Sequence, residues 1–390
     1  MKKIKLFLLA ALIMPMTMTA QTFLKQVGTF IDSMAAAGVD RNYIELPERP
    51  WQVIVRGNVN EADLKIRSTL KNAEVIDKSA QGDVIWEPRI KTKPSYYTGA
   101  WVGYRGFGIG YSTKVGGGDG KIFTAGATGG SYGVNLRIHS FETDEPEVKF
   151  ALNFLDEENP AAGYQHTSFR EKVELWSPIK VRAMMLDAYY MFNGKRFSYA
   201  AAYDQSVVQK RSAGSFMVGA MYYHNSVKYA EDWNAPLVFL MGNIGRIKQS
   251  QLSLGAGYAY NWVPVRGLLV SGMAMPMLSV VNHYKTWCYD SNFRQDALAG
   301  VDDDEDYYDT AFMSWKIYPM PDNDPSGKKA VESKNAKVGV NLDTRLSVTY
   351  QWDRFFVNAN GQLSRFPYKN GNIKGRLIDW YINASVGIRL

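Results

Sequence analysis

Residues 338–352 read VGVNLDTRLSVTYQW. Every second position is apolar or nearly so: Val338, Val340, Leu342, Thr344, Leu346, Val348, Tyr350 and Trp352. The positions between them are small or polar: Gly339, Asn341, Asp343, Arg345, Ser347, Thr349 and Gln351. A period of two marks a β-strand with one apolar and one wet face. Strands in soluble proteins usually run about five or six residues. This pattern persists from 338 to 352, with an Asp and an Arg on its wet side.

The pattern recurs along the chain. In 249–262 the apolar row is Leu252, Leu254, Ala256, Tyr258, Tyr260 and Trp262. In 354–366 it is Phe355, Val357, Ala359 and Leu363, set against Asn358, Asn360, Gln362 and Ser364. The segment 377–390 sets Ile378, Trp380, Ile382, Ala384, Val386, Ile388 and Leu390 against Asp379, Asn383, Ser385 and Arg389. Residues 131–141 and 147–154 alternate as well, and less regular strands are expected at 96–104, 105–113, 180–192, 196–204, 214–226 and 266–283. The expectation is about twelve strands, with ten to fourteen allowed. Short turns are read at Asn193–Lys195, Val263–Val265 and Trp352–Arg354, and the longest connection is 284–337, which carries VDDDEDYYD and PDNDPSG.

The chain has 390 residues, a formal charge of +7, 46% hydrophobic residues and 24 Tyr, 18 Phe and 10 Trp. That is too aromatic and too patterned for disorder. Residues 1–20 place Lys2, Lys3 and Lys5 before the apolar run Leu6–Met14 and end in small residues, the layout of a secretory signal peptide. No later apolar run approaches the ~20 residues of a spanning helix. Without the leader's lysines the positive excess is mild, and no nucleic-acid partner is expected. The single cysteine, Cys288, excludes a disulfide framework and a thiolate cluster, and the four histidines have no HxH or HExxH spacing.

Long alternating strands suit a transmembrane β-barrel, whose strands need about nine to eleven residues in the bilayer. Lipid offers no hydrogen bonds, so such a sheet must close on itself. Trp262, Trp352, Phe355 and Trp380 lie on outward rows as an interface belt. The fold expected is all-β, an antiparallel outer-membrane barrel over 96–390, with 1–20 a signal peptide and 21–95 a mixed periplasmic or plug segment that starts with a helix over Phe23–Val39. A soluble secreted sandwich is the alternative. Turn parity does not come out evenly: Asn193–Lys195 falls on the outer side, and 114–130 and 156–179 fall inside.

Three stretches carry a resemblance: DRNYIELPERPWQV (40–53), LDAYYMFNGKRFSYAAAYDQSVVQKRSAGSF (186–216) and LGAGYAYNW (254–262). They resemble a bacterial outer-membrane barrel family known only as domain of unknown function 4421, over roughly residues 40–390. The resemblance implies an outer-membrane barrel and supplies no catalytic residues.

Charge on the lipid face costs several kcal/mol at mid-depth. Arg182, Asn341, Asp343, Arg345, Asn358, Asn360, Asp379, Asn383 and Arg389 are therefore expected in the lumen, with Asp343–Arg345 and Asp379–Arg389 as pairs that close it. On this reading Val348→Arg blocks assembly, whereas Thr349→Arg is tolerated. Met273, Met275 and Met277 share one face and either line an apolar path or pack against a plug. Ser212 and Ser215 lack a histidine in register, so no catalytic constellation, cofactor or metal site is expected. The acidic runs read as solvated loops. Expected partners are outer-membrane lipid, the barrel-assembly machinery and a small solute. Passage of that solute through or along the barrel is the leading reading. A docking barrel that presents its loops is the alternative, and a membrane hydrolase is the weakest.

Overall fold

The computed structural model describes residues 38–74, 81–91, 94–116, 119–143, 147–155, 164–172, 177–228, 230, 234–235, 238, 243–293, 315–321, 329–335, 338–370 and 373–390. The expected leader, nearly all of the helix over Phe23–Val39, the acidic run 301–309 and PDNDPSG beyond Pro321 lie outside the described residues. In chain order the strands are β1 (Ile44–Glu45), β2 (Trp51–Glu74), β3 (Gln81–Lys91), β4 (Ser95–Tyr104), β5 (Phe107–Val115), β6 (Gly120–Thr128), β7 (Tyr132–Thr143), β8 (Glu147–Leu155), β9 (Tyr164–Lys172) and β10 (Ile179–Met191). After the one-turn helix α1 (Tyr199–Tyr203) come β11 (Val208–Gln209), β12 (Ala213–Lys228), β13 (Ile244–Trp262), β14 (Leu268–Phe293), β15 (Trp315–Pro319), β16 (Val331–Asn335), β17 (Val340–Trp352), β18 (Phe355–Asn370) and β19 (Ile373–Arg389).

Twelve of these strands form a closed antiparallel barrel in the order β2, β4, β5, β6, β7, β10, β12, β13, β14, β17, β18, β19 and back to β2. Closure leaves no wall edge unpaired, as lipid requires. β3, β8 and β9 extend the upper half of β2 as a flange. β15 and β16 continue along the edge of β14 above β17. Among the described residues no helix is long and apolar enough to cross a membrane; the crossing is made by strands.

β17 shows the rule that the sequence pattern encodes. Val340, Leu342, Leu346, Val348, Tyr350 and Trp352 are exposed on the outside, while Asn341, Asp343, Arg345, Ser347 and Thr349 are buried within. Leu254, Leu278, Ile109, Ile382 and Val386 continue the apolar exterior around the barrel. A closed sheet with its greasy side outward is stable only in lipid, so this is an outer-membrane barrel. One rim carries aromatic pairs all round: Trp51–Tyr104 at 4.9 Å, Phe216–Tyr258 at 5.1 Å and Trp352–Phe355 at 6.1 Å between ring centres. Trp262 is exposed on the same rim, and Trp380 sits half-buried on the outward row of β19, nearer the other end.

That aromatic rim also carries the short turns and the Trp51–Leu390 backbone pair, which makes it the periplasmic end. The turn between β4 and β5 is only Arg105 (φ 50°) and Gly106 (φ 90°). Both are left-handed, as a two-residue hairpin matching strand twist requires. The opposite end is the outer one, where β15 and β16 continue beyond β17.

Four expectations are corrected here. β2 is a wall strand from Trp51 onward, paired with β19 and β4; the barrel therefore starts well before residue 96. Its row Trp51, Val53, Val55 was alternating all along, interrupted by Gly57. β6, a wall strand between β5 and β7, restores the parity within 114–130, and the part of 156–179 formed by β9 belongs to the outer flange. Asn193–Lys195 is no outer hairpin, since Met191 at that end bonds the backbone of Ser131 in an inner turn. The strand expected at 196–204 is instead α1 and its cap.

Candidate functional site

The connection from β10 to β12 folds back into the barrel. Phe197 is fully buried, and Ser198 caps α1 by accepting from Ala201 N at 3.1 Å. The small residues Ala200, Ala201 and Ala202 let the turn lie close to the wall, and all three are buried. Below α1, β11 pairs with β1, so Ile44 and Gln209 close the mouth from the periplasmic side.

The wall holds this cross-piece through polar side chains from most of its circumference. From one arc, Gln52 donates to Asp204 O at 2.8 Å, Thr128 to Asp204 Oδ2 at 3.1 Å and Arg389 to Gln205 O at 2.9 Å. From the facing arc, Asn261 donates to Ser198 O at 2.8 Å and Ser347 to Ala202 O at 2.6 Å. The acceptors are mostly carbonyls that a one-turn helix leaves unpaired, so the polar inner rows of the wall complete the cross-piece. Burial pushes the Asp204 carboxyl above the usual carboxylate range, against the opposing pull of Ser206, Thr128 and Arg389. Burial likewise raises the Tyr199 and Tyr203 hydroxyls, which stay neutral.

Above α1 lies a buried ionic cluster. Arg345 bridges Asp187 and Asp343 at 3.1 Å each and donates Nη1 to the Tyr199 hydroxyl at 2.7 Å. Gln362 donates to Asp343 Oδ1 at 2.8 Å, Asn135 donates to Asp187 Oδ2 at 2.9 Å, and the Tyr189 hydroxyl also donates to Asp187. Arg137 pairs with Asp379 at 2.9 Å and lies over the Tyr381 ring.

Over this cluster the two halves of the lumen differ. On β10, β12 and β14 the inward rows carry Met185, Met191, Met217, Met221, Met273, Met275 and Met277, all buried in one apolar cluster. Gly255 and Gly257 face them, and a Cβ at either would come within 2.6 Å and 2.8 Å of Met277 Cγ and Met275 Cα. Met273, Met275 and Met277 are therefore packed and buried, while Met185 borders the cavity described below. On β4, β5 and β6 the inward rows are rich in glycine instead, with Gly99, Gly103, Gly108, Gly110 and Gly126 among the larger Tyr97, Trp101 and Ile122. Gly108 and Gly126 let the Trp101 ring lie flat, since a Cβ at Gly108 would sit 2.5 Å from it. Gly110 leaves room for Arg56, whose Nη2 would be 2.6 Å from a Cβ there. What remains is a cavity of about 140 Å³ between Arg56, Trp101, Arg137, Asp187, Tyr381 and Asn383, floored by Tyr199 and Tyr203, with Ile54, Ile122, Leu136 and Met185 also in its walls.

Arg56 has no carboxylate partner among the described residues; Nε and Nη2 donate to Ser112 Oγ at 3.2 Å and Thr124 Oγ1 at 2.7 Å. The buried indole N–H of Trp101 and Oδ1 of Asn383 have no partner there either. Asn341, Asp343, Arg345, Asn358, Asp379 and Arg389 are buried on inner rows, and Asn360 and Asn383 line the cavity. Arg182 is corrected: it is exposed on the outward row of β10, next to Lys180 at the outer end, where water replaces lipid. The pairing of Asp379 with Arg389 is corrected too, because Arg389 lies at the inner mouth and bonds Gln205 and Gln351. Arg56, Trp101 and Asp187 escaped the sequence reading. The alternation Gln52, Ile54, Arg56, Asn58, Asn60 was the available signal for the first. Among the described residues no group of His, Cys, Asp and Glu is placed to hold a metal ion.

Residues 64–387 match the family described as Domain of unknown function (DUF4421). No curated protein matches. Among solved structures, the outer membrane protease OmpT from Escherichia coli is similar over 90% of this chain and 100% of its own, at 7% identity and a TM-score of 0.39. The translocator domain of the autotransporter NalP from Neisseria meningitidis is similar over 95% and 96%, at 11% identity and TM-score 0.29. The toluene transporter TodX of P. putida is similar over 88% and 91%, at 9% identity and TM-score 0.27.

Proposed function

For this chain, which belongs to the DUF4421 family, we propose gated passage of a small polar solute through one half of the barrel. The observation that carries the reading is the cavity ending on the 193–212 cross-piece, which wall side chains hold by hydrogen bonds and whose own ladder runs to β1 and not to a wall strand. The methionine half gives no route. The solute enters from the outer end, meets Arg56, which has no carboxylate partner among the described residues, and the ring of Trp101, and leaves when the cross-piece lets go of its carbonyl bonds. Arg56 and Trp101 together favour a solute with an anionic or strongly accepting group on an organic body. The cavity is close in size to one that holds benzene, about 150 Å³, so the solute is small.

The test is liposome swelling and single-channel conductance with purified folded protein. The wild type should pass little. A variant with residues 198–207 replaced by a Gly-Ser linker should pass small solutes readily, and Ala202→Cys/Ser347→Cys, once oxidised, should pass none. If the linker variant folds and remains tight, passage is excluded and a docking barrel is the better account.

A further inference from the structure

On the outside of the barrel, well away from the lumen, three side chains on β14 and β16 form a relay. Ser333 Oγ lies 2.9 Å from His283 Nε2, and His283 Nδ1 lies 2.9 Å from Asn335 Oδ1. The register explains the arrangement: His283 sits directly opposite Asn335 on the ladder, and Ser333 is two residues along the same strand, on the same face. An amide oxygen is only an acceptor, so Asn335 Oδ1 fixes the hydrogen on Nδ1 and leaves the Nε2 lone pair facing the serine O–H. That is the tautomer a general base needs beside a nucleophile.

The depth of the site names its substrate. An apolar band about 25 Å tall takes about ten residues of a tilted strand. On β14 that band ends with the exposed Leu278, Val280 and Val281. His283 is the next outward position, at the level of lipid headgroups on the outer side. Beside it, Arg246, Lys248 and Lys285 gather around the Trp287 ring at 4.8, 5.3 and 5.2 Å. Three cations on an interfacial Trp suit a headgroup phosphate. Lys285 is also the direct ladder partner of Ser333, so a cation neighbours the nucleophile, as the negative charge developing on an attacked carbonyl requires.

We propose that Ser333, His283 and Asn335 form an outward-facing esterase site that cleaves an acyl ester of a phosphate-bearing membrane lipid. The Ser333 oxygen bonds the ester carbonyl carbon while its proton passes to His283 Nε2. Collapse of the adduct breaks the bond to the alkoxide, which takes that proton and leaves with the headgroup. Water then attacks the acyl-serine, giving its proton to His283. The fatty acid departs, and Ser333 recovers its proton. Asn335 holds the ring, and Lys285 steadies the oxyanion.

The experiment uses full-length protein whose folding is verified by heat-modifiable gel migration. Three readouts are taken: labelling by a fluorophosphonate probe with mass-spectrometric location of the adduct, hydrolysis of p-nitrophenyl butyrate, and fatty-acid release from phosphatidylglycerol vesicles. The wild type should carry the adduct on Ser333 and release fatty acid. Ser333→Ala should abolish both, His283→Gln should slow both by about 100-fold or more, and Asn335→Asp should keep most of the labelling. Ser333 and Asn335 are exposed, so these variants fold. No adduct on Ser333 of the folded wild type, or equal labelling of His283→Gln, overturns the site. Hydrolysis of the butyrate ester without fatty-acid release from vesicles overturns the lipid assignment. None of these outcomes touches the lumen reading, whose test is flux.

Discussion

Arg345 on the wall and Tyr199 on the cross-piece meet at 2.7 Å, guanidinium to hydroxyl, in the middle of the barrel. The same guanidinium neutralises two buried carboxylates, Asp187 and Asp343. One side chain therefore joins three structures: the wall, the ionic cluster and the floor of the cavity.

Arg345→Ala should destabilise the folded barrel by about 3–5 kcal/mol, because it strands two buried carboxylates. Adding Asp187→Asn should recover part of that loss. Urea titration in detergent or lipid reads both. A single variant as stable as the wild type would show that the cluster is solvated and the lumen open.

Val348→Arg and Thr349→Arg separate the two faces of one strand. Val348 faces lipid, so its replacement should cost about 2–4 kcal/mol and block insertion. The sequence alone suggests that Thr349→Arg is harmless on a watery inner face. The structure adds to this, since Thr349 is buried and accepts from Asn358, which also donates to Ala202 O of the cross-piece. Thr349→Arg should insert normally and release the cross-piece, so that flux rises while membrane integration is kept.

Met275→Ala tests whether half of the lumen is a core. Met275 is 0% exposed, and its truncation should cost about 2–5 kcal/mol if it packs against solid neighbours. In a water-filled lumen the same change would be almost neutral.

The Asp204 carboxyl gives the cross-piece a pH dependence of known sign. Burial raises its folded value above the ordinary 3.8. Its contribution is complete below the unfolded value and is lost as pH rises through the folded one, because the carboxylate must then be held charged in the buried site. Stability of the wild type relative to Asp204→Asn should fall as the pH is raised from about 4. A gap between the two denaturation midpoints that does not change with pH would show that Asp204 titrates normally.

The strands were readable wherever one row is apolar throughout, as in 338–352 and 377–390, because lipid selects every outward residue. β2 was harder, since Gly57 breaks the outward row and the charged stretch beyond it runs into the outer flange. The cross-piece could not be read by period at all. YAAAY is apolar at consecutive positions, and its helical turn is set by the Ser198 cap and by wall side chains from residues 52 to 389, which lie far apart in sequence. The cavity followed a subtler sign, glycine on the inward positions of β4, β5 and β6, which speaks of space only when Trp101 and Arg56 are known to fill it. The exterior relay depended on the register between β14 and β16, which hydrophobic alternation does not fix.

The methionine half of the interior has a chemical consequence for the chain's journey to the membrane. Seven thioethers sealed in the barrel are shielded from peroxide once it has closed, but all are open to it in the chain awaiting insertion. A sulfoxide is polar and needs a donor; Met185 has one in Gln362, whereas the side-chain hydrogen bonds of the described residues give none to the sulfurs of Met273, Met275 and Met277. Oxidation in transit would therefore be recorded as failure to close, whereas the finished barrel would take the same dose unharmed.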